Sequence, residues 1–363
     1  MYTDQEKIVI WLSLFNNLSA SKHQKLFALY DDPRKIYMNL VSDGKIIKNI
    51  VGEQIYYSMI NTDISLIKSY IQNLDNKNIK CVTCFSDDYP QNFREIAEAP
   101  PILFCKGDLS LLNKKSIAIV GTRSPTAYAR GVTEDFAKTL SKQGLVIVSG
   151  LASGVDKIAH ESALRVGGKT IAVLAGGFDE IYPAMNTNLA KEIAEKGLIV
   201  TEYKPNVMAT KYSFPYRNRL ISGLSAGVLI TEAGEKSGSI HTKNYALEQG
   251  KSLFVVPANI NNPKAVGTNK ILKSMQGAMV LSPSDILLEL GMPLHTLQEV
   301  KKVEVKQGDV NETLILKALE DGEQTLESLQ EITKLETKIL NSCLTIMQIR
   351  GLIKKLPGNS FSI

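Results

Sequence analysis

Cysteine, histidine and tryptophan are scarce in this sequence: among 363 residues there are four, four and one of them. Cys81 and Cys84 form a single CxxC pattern, and a zinc site would need further ligands nearby, which the sequence does not supply. A redox-active CxxC opens a helix, whereas this pair lies in the strand-like run IKCVTCF. We therefore interpret these thiols, with Cys105 and Cys343, as small buried hydrophobic groups, and we expect no metal.

Long apolar runs are also absent. No run approaches the roughly 20 residues that cross a bilayer. The N-terminal stretch MYTDQEKIVIWLSLF carries acidic residues before its apolar ones and has no small-residue cleavage site, unlike a signal peptide. We expect a cytoplasmic protein without a membrane partner.

Neither sign of charge dominates the composition. The formal net charge is +5, and 44% hydrophobic with 22% charged residues is typical of globular protein. A mildly basic chain permits an acidic polymer as partner without requiring one.

The sequence lacks the motifs of the common nucleotide cofactors. Residues 168–170 (GKT) and 250–252 (GKS) resemble the end of a P-loop, but the glycine required five positions earlier is replaced by Ala163 and Tyr245. Both also precede a predicted strand, whereas a P-loop follows one. The loop GTRSPT does not match the dinucleotide pattern GxGxxG. We expect no cofactor.

The common catalytic motifs are also absent or stand in the wrong structural context. GLSAG at 223–227 matches the nucleophile elbow but enters a predicted strand instead of leaving one. No acid–base pair with triad spacing involves any of the four histidines, for which we favour structural roles. We expect no catalytic residue. The histidines are His23, His160, His241 and His295.

The chain divides into four segments that differ in composition and in the spacing of apolar residues. Residues 1–80 show apolar residues at helical spacing and predict a small helical domain. Residues 81–291 form the central segment, and 292–310 is a polar linker. Residues 311–363 predict three short helices and a β-wing, the order of a winged helix. These helices are predicted at Glu312–Leu319, Leu326–Ile332 and Glu336–Arg350.

The central segment alternates apolar runs with helical stretches. Runs without polar alternation indicate strands buried on both faces, which predicts an α/β fold with a parallel, doubly wound sheet. The predicted strands are Ile117–Val120, Leu145–Ser149, Thr170–Ala175, Leu198–Tyr203, Gly227–Glu232, Leu253–Pro257 and Ala278–Leu281. The predicted helices are Tyr128–Lys142, Asp156–Val166, Asn188–Lys196, Ser239–Gln249 and Asn269–Gln276.

The stretch YKPNVMATKYSFPYRNR, residues 203–219, interleaves four cations with four aromatic rings. Cations neutralise phosphates and flat rings stack on bases, so the mixture suits an unpaired nucleic-acid strand. The alternative is a solvated basic loop whose rings pack underneath, and the residues alone leave both interpretations open.

Glycine, serine and threonine follow most of the predicted strands. Exposed backbone N–H groups and helix N-termini at such places hold anions, and ligands of parallel sheets bind beyond the carboxyl ends of the strands. A row of such loops suits a long polyanion. The candidate residues are Gly121, Thr122, Ser149, Gly150, Gly154, Gly176, Gly177, Thr268 and Asn269.

Six collinear motifs between about residues 89 and 290 resemble the DNA-processing protein A family (DprA, also called Smf). They are IAIVGTR, LVIVSGLASGVDKIAH, GKTIAVLAGGFDEIYP, FPYRNRLISGLS, EAGEKSGSIHT and VPANI…GTN. The resemblance implies an extended Rossmann-like domain that binds single-stranded DNA, preceded in residues 1–80 by a helical domain of the SAM or helix-hairpin-helix kind. It also implies a homodimer that protects incoming DNA and helps to load the RecA recombinase in natural transformation and homologous recombination, with no established enzymatic activity.

The resemblance assigns DNA-binding roles to individual positions. Arg123 would donate hydrogen bonds to a phosphate, Lys211 would attract a phosphate as a single positive charge, and Phe214 would stack on a base. Ser153 is a further candidate DNA-binding residue, at a position where many family members have a basic residue, and Ala258 stands where the family more often has a glycine. The remaining residues carried over are Arg217, Asn218, Arg219, Ser237, Gly238, Ser239 and Thr242.

Two of the assigned arginines have a second interpretation. Arg217 or Arg219 could anchor the basic segment to Glu202 or Glu232 instead of meeting DNA. We expect such pairing, because unpaired carboxylates at these strand ends would repel a phosphate.

Two other functions remain as alternatives. One is a nucleotide phosphoribohydrolase, since Glu232 beside Gly234 faintly resembles the phosphate loop of those Rossmann-like enzymes; the PGGxGT run itself is missing. The other is a duplex-DNA regulator acting through the third helix of the tail, although that helix has few cations on one face.

Overall fold

The structure is a computed structural model that describes residues 2–292, 310–320, 322–356 and 360–363. The chain forms two compact units, residues 1–294 and 295–363. The predicted linker at 292–310 lies almost entirely outside the described residues. No helix within the described ranges is both long and apolar enough to cross a bilayer.

The first unit begins with six helices that pack around Trp11. The side chain of Trp11 is fully buried, and it shares one hydrophobic core with Phe104 from the neighbouring sheet. A capping box between Thr3 and Glu6 starts the first helix. The helices are α1 (Asp4–Leu12), α2 (Ala20–Leu29), α3 (Arg34–Met38), α4 (Gly44–Val51), α5 (Glu53–Ile60) and α6 (Leu66–Asn76).

A nine-stranded sheet forms the centre of this unit. Its strands are β1 (Lys80–Thr83), β2 (Ile102–Gly107), β3 (Ser116–Val120), β4 (Val146–Ser149), β5 (Thr170–Val173), β6 (Leu198–Thr201), β7 (Gly227–Ile230), β8 (Ser252–Val255) and β9 (Ala278–Met279). The order across the sheet is β1-β2-β6-β5-β4-β3-β7-β8-β9. Strands β3 to β9 pair in parallel, which confirms the predicted fold class. Strands β1 and β2 extend one edge in antiparallel pairing.

Strand β3 shows why both faces of the sheet are apolar. Ile117 and Ile119 pack into one core, while Ala118 and Val120 pack into the core on the opposite face. Helices cover both cores. They are α7 (Ala127–Lys142), α8 (Val155–Arg165), α9 (Thr187–Lys196), α10 (Ser213–Leu224), α11 (Ser239–Glu248), α12 (Val266–Lys273) and α13 (Pro283–Glu289).

The second half of the basic segment is helical, which corrects our interpretation of 203–219 as a loop. Helix α10 buries Arg217, Leu220, Ile221 and Leu224, at spacings of three, four and seven residues. The pattern escaped detection because an arginine occupies the first buried position. Pro215 lies in the first turn, where a missing N–H costs nothing.

The second unit contains α14 (Val310–Leu319), β10 (Gln324–Thr325), α15 (Leu326–Thr333), α16 (Thr337–Ile349), β11 (Lys354–Leu356) and β12 (Ser360–Ser362). The three strands pair antiparallel in the order β10-β12-β11. Leu329, Leu340 and Met347 are fully buried in its core. The assignment of this unit as a winged helix stays a prediction.

Candidate nucleic-acid interface

A cleft of about 940 Å³ opens at the carboxyl ends of β3 and β7. The chain runs from β3 outward through β4, β5 and β6, and then returns to place β7 on the other side of β3. Strand order therefore reverses between β3 and β7, and loops diverge at such a point to leave a crevice. We call this the switch-point cleft. The predicted site residues that line it are Gly121, Thr122, Arg123, Lys211, Phe214, Arg217, Asn218, Ser237, Gly238, Ser239 and Thr242.

Arg123 and Phe214 meet across the cleft. Arg123 is exposed on the loop after β3, and its guanidinium carbon lies 5.7 Å from the centroid of the Phe214 ring at the start of α10. Tyr182 contacts the same ring at a tilt of 60° and a centroid distance of 5.2 Å. A cation therefore lies beside an aromatic platform, the pair that a phosphate and its base would use together.

The N-terminus of α10 adds further positive potential. Lys211 and Tyr212 precede the helix, both are exposed, and the Lys211 ammonium lies 4.9 Å from the centroid of the Tyr212 ring. Thr210 and Ser213 bond each other's backbone N–H groups and fix this turn. The first turn of a helix of this length carries partial positive charge, which favours an anion in the cleft.

Arg217 lies beneath the cleft and is buried. Its Nη1 donates to the carbonyl oxygens of Gly150 (2.9 Å) and Val173, which end β4 and β5. A β-carbon on Gly150 would lie 2.6 Å from Nη2 of Arg217 and 2.9 Å from Oδ2 of Asp156, so only glycine fits between these two charges. Burial lowers the pKa of Arg217 to about 10, while Asp156 opposes this shift. Arg217 holds the strand ends together.

Arg219 points away from the cleft and forms a buried ion pair with Glu202. Its Nη1 and Nη2 donate to the two carboxylate oxygens at 2.8 and 2.6 Å, and the guanidinium stacks on Tyr216 at 3.9 Å. Burial lowers the pKa of Arg219, but the Glu202 carboxylate and its hydrogen bonds raise it overall. The predicted anchoring of an arginine to Glu202 is confirmed.

Among the described residues, no arginine pairs with Glu232, so that part of the expectation is wrong. Its buried carboxylate accepts from the backbone N–H and hydroxyl of Thr126 at 2.9 and 2.8 Å, and from Nδ2 of Asn262 at 3.0 Å. The backbone N–H of Thr122 also donates to the Glu232 carbonyl at 2.8 Å. Hydrogen bonds alone satisfy the carboxylate, and they fix the loop that carries Arg123.

Several predicted site residues lie behind the cleft instead of lining it. The hydroxyl of Ser149 is buried and donates to the Ile119 carbonyl at 2.7 Å. Ser153 is half-buried with its hydroxyl 3.8 Å from the sulfur of Met185. Gly154 packs against the backbone of Arg123. These residues shape the strand ends without facing the switch-point cleft.

Four other predicted residues also lie outside the cleft. Gly176 and Gly177 are buried behind Phe214. Thr268 is buried and donates to the Ala265 carbonyl at 2.8 Å, while Nδ2 of Asn269 donates to the Ala258 carbonyl at 3.0 Å. Side chains of α12 therefore hold the segment between β8 and that helix.

The cleft also contains residues that the sequence analysis missed. Lys236 and Lys264 are exposed in its wall, and Nζ of Lys264 donates to the Ser124 carbonyl at 2.9 Å. Tyr182 and His241 line it as well. Lys236 stands between motif residues in EAGEKSGS, a signal that could have identified it.

Most of the described cysteines and histidines are buried. Cys81 and Cys105 are buried and Cys84 is half-buried, and burial raises the pKa of the Cys84 thiol to about 12. His160 is buried, with Nδ1 2.6 Å from the Thr170 hydroxyl. Across the described ranges, no three of the histidine, cysteine and acidic side chains come close enough to hold a metal ion.

Comparison with known proteins identifies a family model and relatives that match this chain. Residues 80–291 match the family model described as DNA recombination-mediator protein A. The DNA processing protein DprA of Bacillus subtilis is 44% identical over 216 residues, covering 59% of this chain and 72% of that protein. The DprA of Streptococcus pneumoniae is 41% identical over 204 residues, covering 56% and 71%.

Two solved structures share the fold. The X-ray structure of DNA processing protein A from Streptococcus pneumoniae matches with a TM-score of 0.66 and 30% identity, covering 78% of this chain and 97% of that one. A structure of DNA processing protein A from Helicobacter pylori, which describes its binding mode for single-stranded DNA, matches with a TM-score of 0.54 and 38% identity, covering 58% and 95%.

Proposed function

Because this chain belongs to the DNA recombination-mediator protein A family, we propose that it binds single-stranded DNA in the switch-point cleft, in the service of natural transformation and recombination. The main observation is that Arg123, which is far from Lys211 and Phe214 in sequence, lines the same cleft as those two residues. Phosphates would meet the two cations, and a base would stack on Phe214. The relative from Helicobacter pylori, described as binding single-stranded DNA, supports this proposal.

Oligonucleotide binding by variants tests the site. Phe214→Ala should weaken binding of an oligothymidylate by about 1–3 kcal/mol, the value of one base–aromatic stack. Arg123→Ala with Lys211→Ala should weaken binding further and reduce the slope of log affinity against log salt by about 0.7 per lost phosphate contact. Fluorescence anisotropy at several salt concentrations measures both effects.

A charge-matched control separates the site from bulk electrostatics. Lys142 and Lys191 are exposed on α7 and α9, so Lys142→Ala with Lys191→Ala removes the same charge elsewhere. We expect this variant to bind like the parent. Equal affinity of the Arg123→Ala/Lys211→Ala variant and this control would show that the site assignment is wrong.

We also propose that the protein acts by binding and not by catalysis. The carboxylate that the phosphoribohydrolase alternative would use, Glu232, is buried and accepts hydrogen bonds from Thr126 and Asn262. Incubation with nucleoside monophosphates should release no free base. Release that disappears in Glu232→Gln would overturn this proposal.

The duplex-DNA alternative makes a different prediction about the tail. If the second unit were the DNA reader, deletion of residues 300–363 would abolish binding. We expect most single-strand affinity to survive that deletion.

We further propose that the protein is a cytoplasmic homodimer that passes its bound strand to RecA. Met279, Leu281 and Leu288 are 57%, 76% and 62% exposed on β9, the following turn and α13, and such apolar surface suits a partner copy. Leu281→Asp with Leu288→Asp should yield a monomer by light scattering. RecA loading is tested by assembly of RecA filaments on the bound strand.

A further inference from the structure

A second, basic groove borders the switch-point cleft. It encloses about 540 Å³ between α11 and α12, and we call it the lysine groove. Its lining side chains include Glu235, Lys243, Lys270, Lys273 and Gln276. Nothing in the binding mode proposed above uses it.

One loop forms the wall between the two depressions. Lys236 and Ser237 line the switch-point cleft, whereas Glu235, directly before them, lines the lysine groove. Gly267 packs tightly against this wall, because a β-carbon there would lie 2.6 Å from the Gly234 carbonyl oxygen. The wall is therefore short and packs closely against α12. A DNA strand leaving the switch-point cleft would cross only this loop to reach the lysine groove.

The charges around the wall are nearly all positive. Glu235 pairs with Lys270 at 2.5 Å, but both side chains are about 60% exposed, and such surface pairs contribute only about 0–1 kcal/mol. Nζ of Lys243 donates to the neutral amide oxygen of Gln276. A phosphate could displace either partner at small cost. The lysines around the wall are Lys236, Lys243, Lys264, Lys270 and Lys273.

We propose that the lysine groove is an extension of the DNA path: the strand assigned to the switch-point cleft crosses the wall and lays its phosphates against Lys243, Lys270 and Lys273. This inference rests on the proposed function. The residues lining the groove include no aromatic ring, so it holds the strand by phosphates alone and leaves the bases of that portion unstacked. Bases held in this way remain available for pairing.

Oligonucleotide length separates the two parts of the path. Oligothymidylates of about 4 and about 16 nucleotides span the range of site sizes known for single-strand binders. The triple variant Lys243→Ala/Lys270→Ala/Lys273→Ala should bind the short strand like the parent protein, because that strand needs only the switch-point cleft. It should bind the long strand about tenfold to a hundredfold more weakly near 0.1 M salt. The slope of log affinity against log salt should be lower by about two, because three phosphate contacts are lost.

A control triple variant removes the same charge from the helical region. Lys25, Lys45 and Lys68 are exposed on α2, α4 and α6, and their replacement by alanine should leave both affinities unchanged. The converse variant, Glu235→Gln, removes the carboxylate from the groove and should tighten binding of the long strand only.

The outcomes distinguish this inference from the proposed function. If the groove variant and the control bind the long strand equally, while Arg123→Ala/Lys211→Ala still weakens the short one, the strand does not enter the groove and the inference is overturned. If neither strand binds the parent protein, the proposed function itself fails.

Discussion

Replacing Arg219 by methionine should destabilise the first unit without touching the DNA site. Arg219 and Glu202 are 3% and 12% exposed and share two charge-assisted hydrogen bonds of 2.8 and 2.6 Å. Removing one partner of a buried pair costs about 3–5 kcal/mol, because the other charge is left without compensation. Glu202 keeps some contact with water, so we expect a loss near 3 kcal/mol, at the lower end of that range.

The single tryptophan provides the assay. Trp11 is fully buried in the same unit as the ion pair, so its fluorescence in urea reports unfolding of that unit. The midpoint should fall in Arg219→Met at an unchanged slope. Arg219→Lys should be intermediate, since an ammonium cannot make the two parallel bonds. Arg219→Met with Glu202→Met should regain most of the loss, because an apolar pair leaves no buried charge.

DNA binding distinguishes this explanation from a direct role of Arg219 in DNA contact. Measured where the variant is still folded, Arg219→Met should bind an oligothymidylate with the affinity of the parent protein. An unchanged urea midpoint together with a large loss of affinity would show that Arg219 meets phosphate, and our reasoning about the ion pair would be refuted.

Three further perturbations test the surroundings of the site. Arg217→Met should cost about 3–5 kcal/mol in urea unfolding at neutral pH, because it leaves the buried Asp156 carboxylate without its positive partner. Burial raises the pKa of Asp156, so this carboxylate takes up a proton more readily as the pH falls, and the loss should shrink towards about pH 4. Burial lowers the pKa of His23 to about 4 and of His160 to about 3, both below the usual value near 6.5. Their charging opposes folding, so the contribution of these two histidines to stability should be constant above about pH 6.5 and should fall towards pH 4. An unchanged urea midpoint between about pH 6.5 and pH 4 would contradict this. Gly177→Ala should reduce the stability by about 1–3 kcal/mol and so lower the thermal midpoint, because its β-carbon would lie 2.2 Å from two carbonyl oxygens of the loop after β6. A thermal midpoint equal to that of the parent would show that the loop moves to make room for the β-carbon.

Local patterns predicted the sheet because its strands are buried on both faces. Ile117 to Val120 form an apolar run without alternation, and in the structure alternate residues enter two different cores. Small residues after the strands predicted the edge at which the switch-point cleft opens, since carboxyl ends of parallel strands share one edge. These features depend on neighbouring residues, so the sequence alone carries them.

Helix α10 marks the limit of that reasoning. Its buried face begins with Arg217, and a cation in a core position hides the apolar period on which helix prediction relies. The same residue type occupies three different environments here: Arg123 is exposed, Arg217 binds strand-end carbonyls, and Arg219 pairs with Glu202. Residue type and motif position do not distinguish these environments, because each depends on partners from distant parts of the chain.

By itself, then, the sequence determined the α/β class, the parallel strands, the sheet edge at which the cleft opens, and the residue types available there. Tertiary structure alone decided which of those residues share the switch-point cleft. Strand β3 lies between β4 and β7, and this placement brings Arg123 to Phe214 and seats Glu232 against Thr126. The physical reason is that burial of a charge or a close approach of two loops is a property of the packed sheet, which no single stretch of sequence contains.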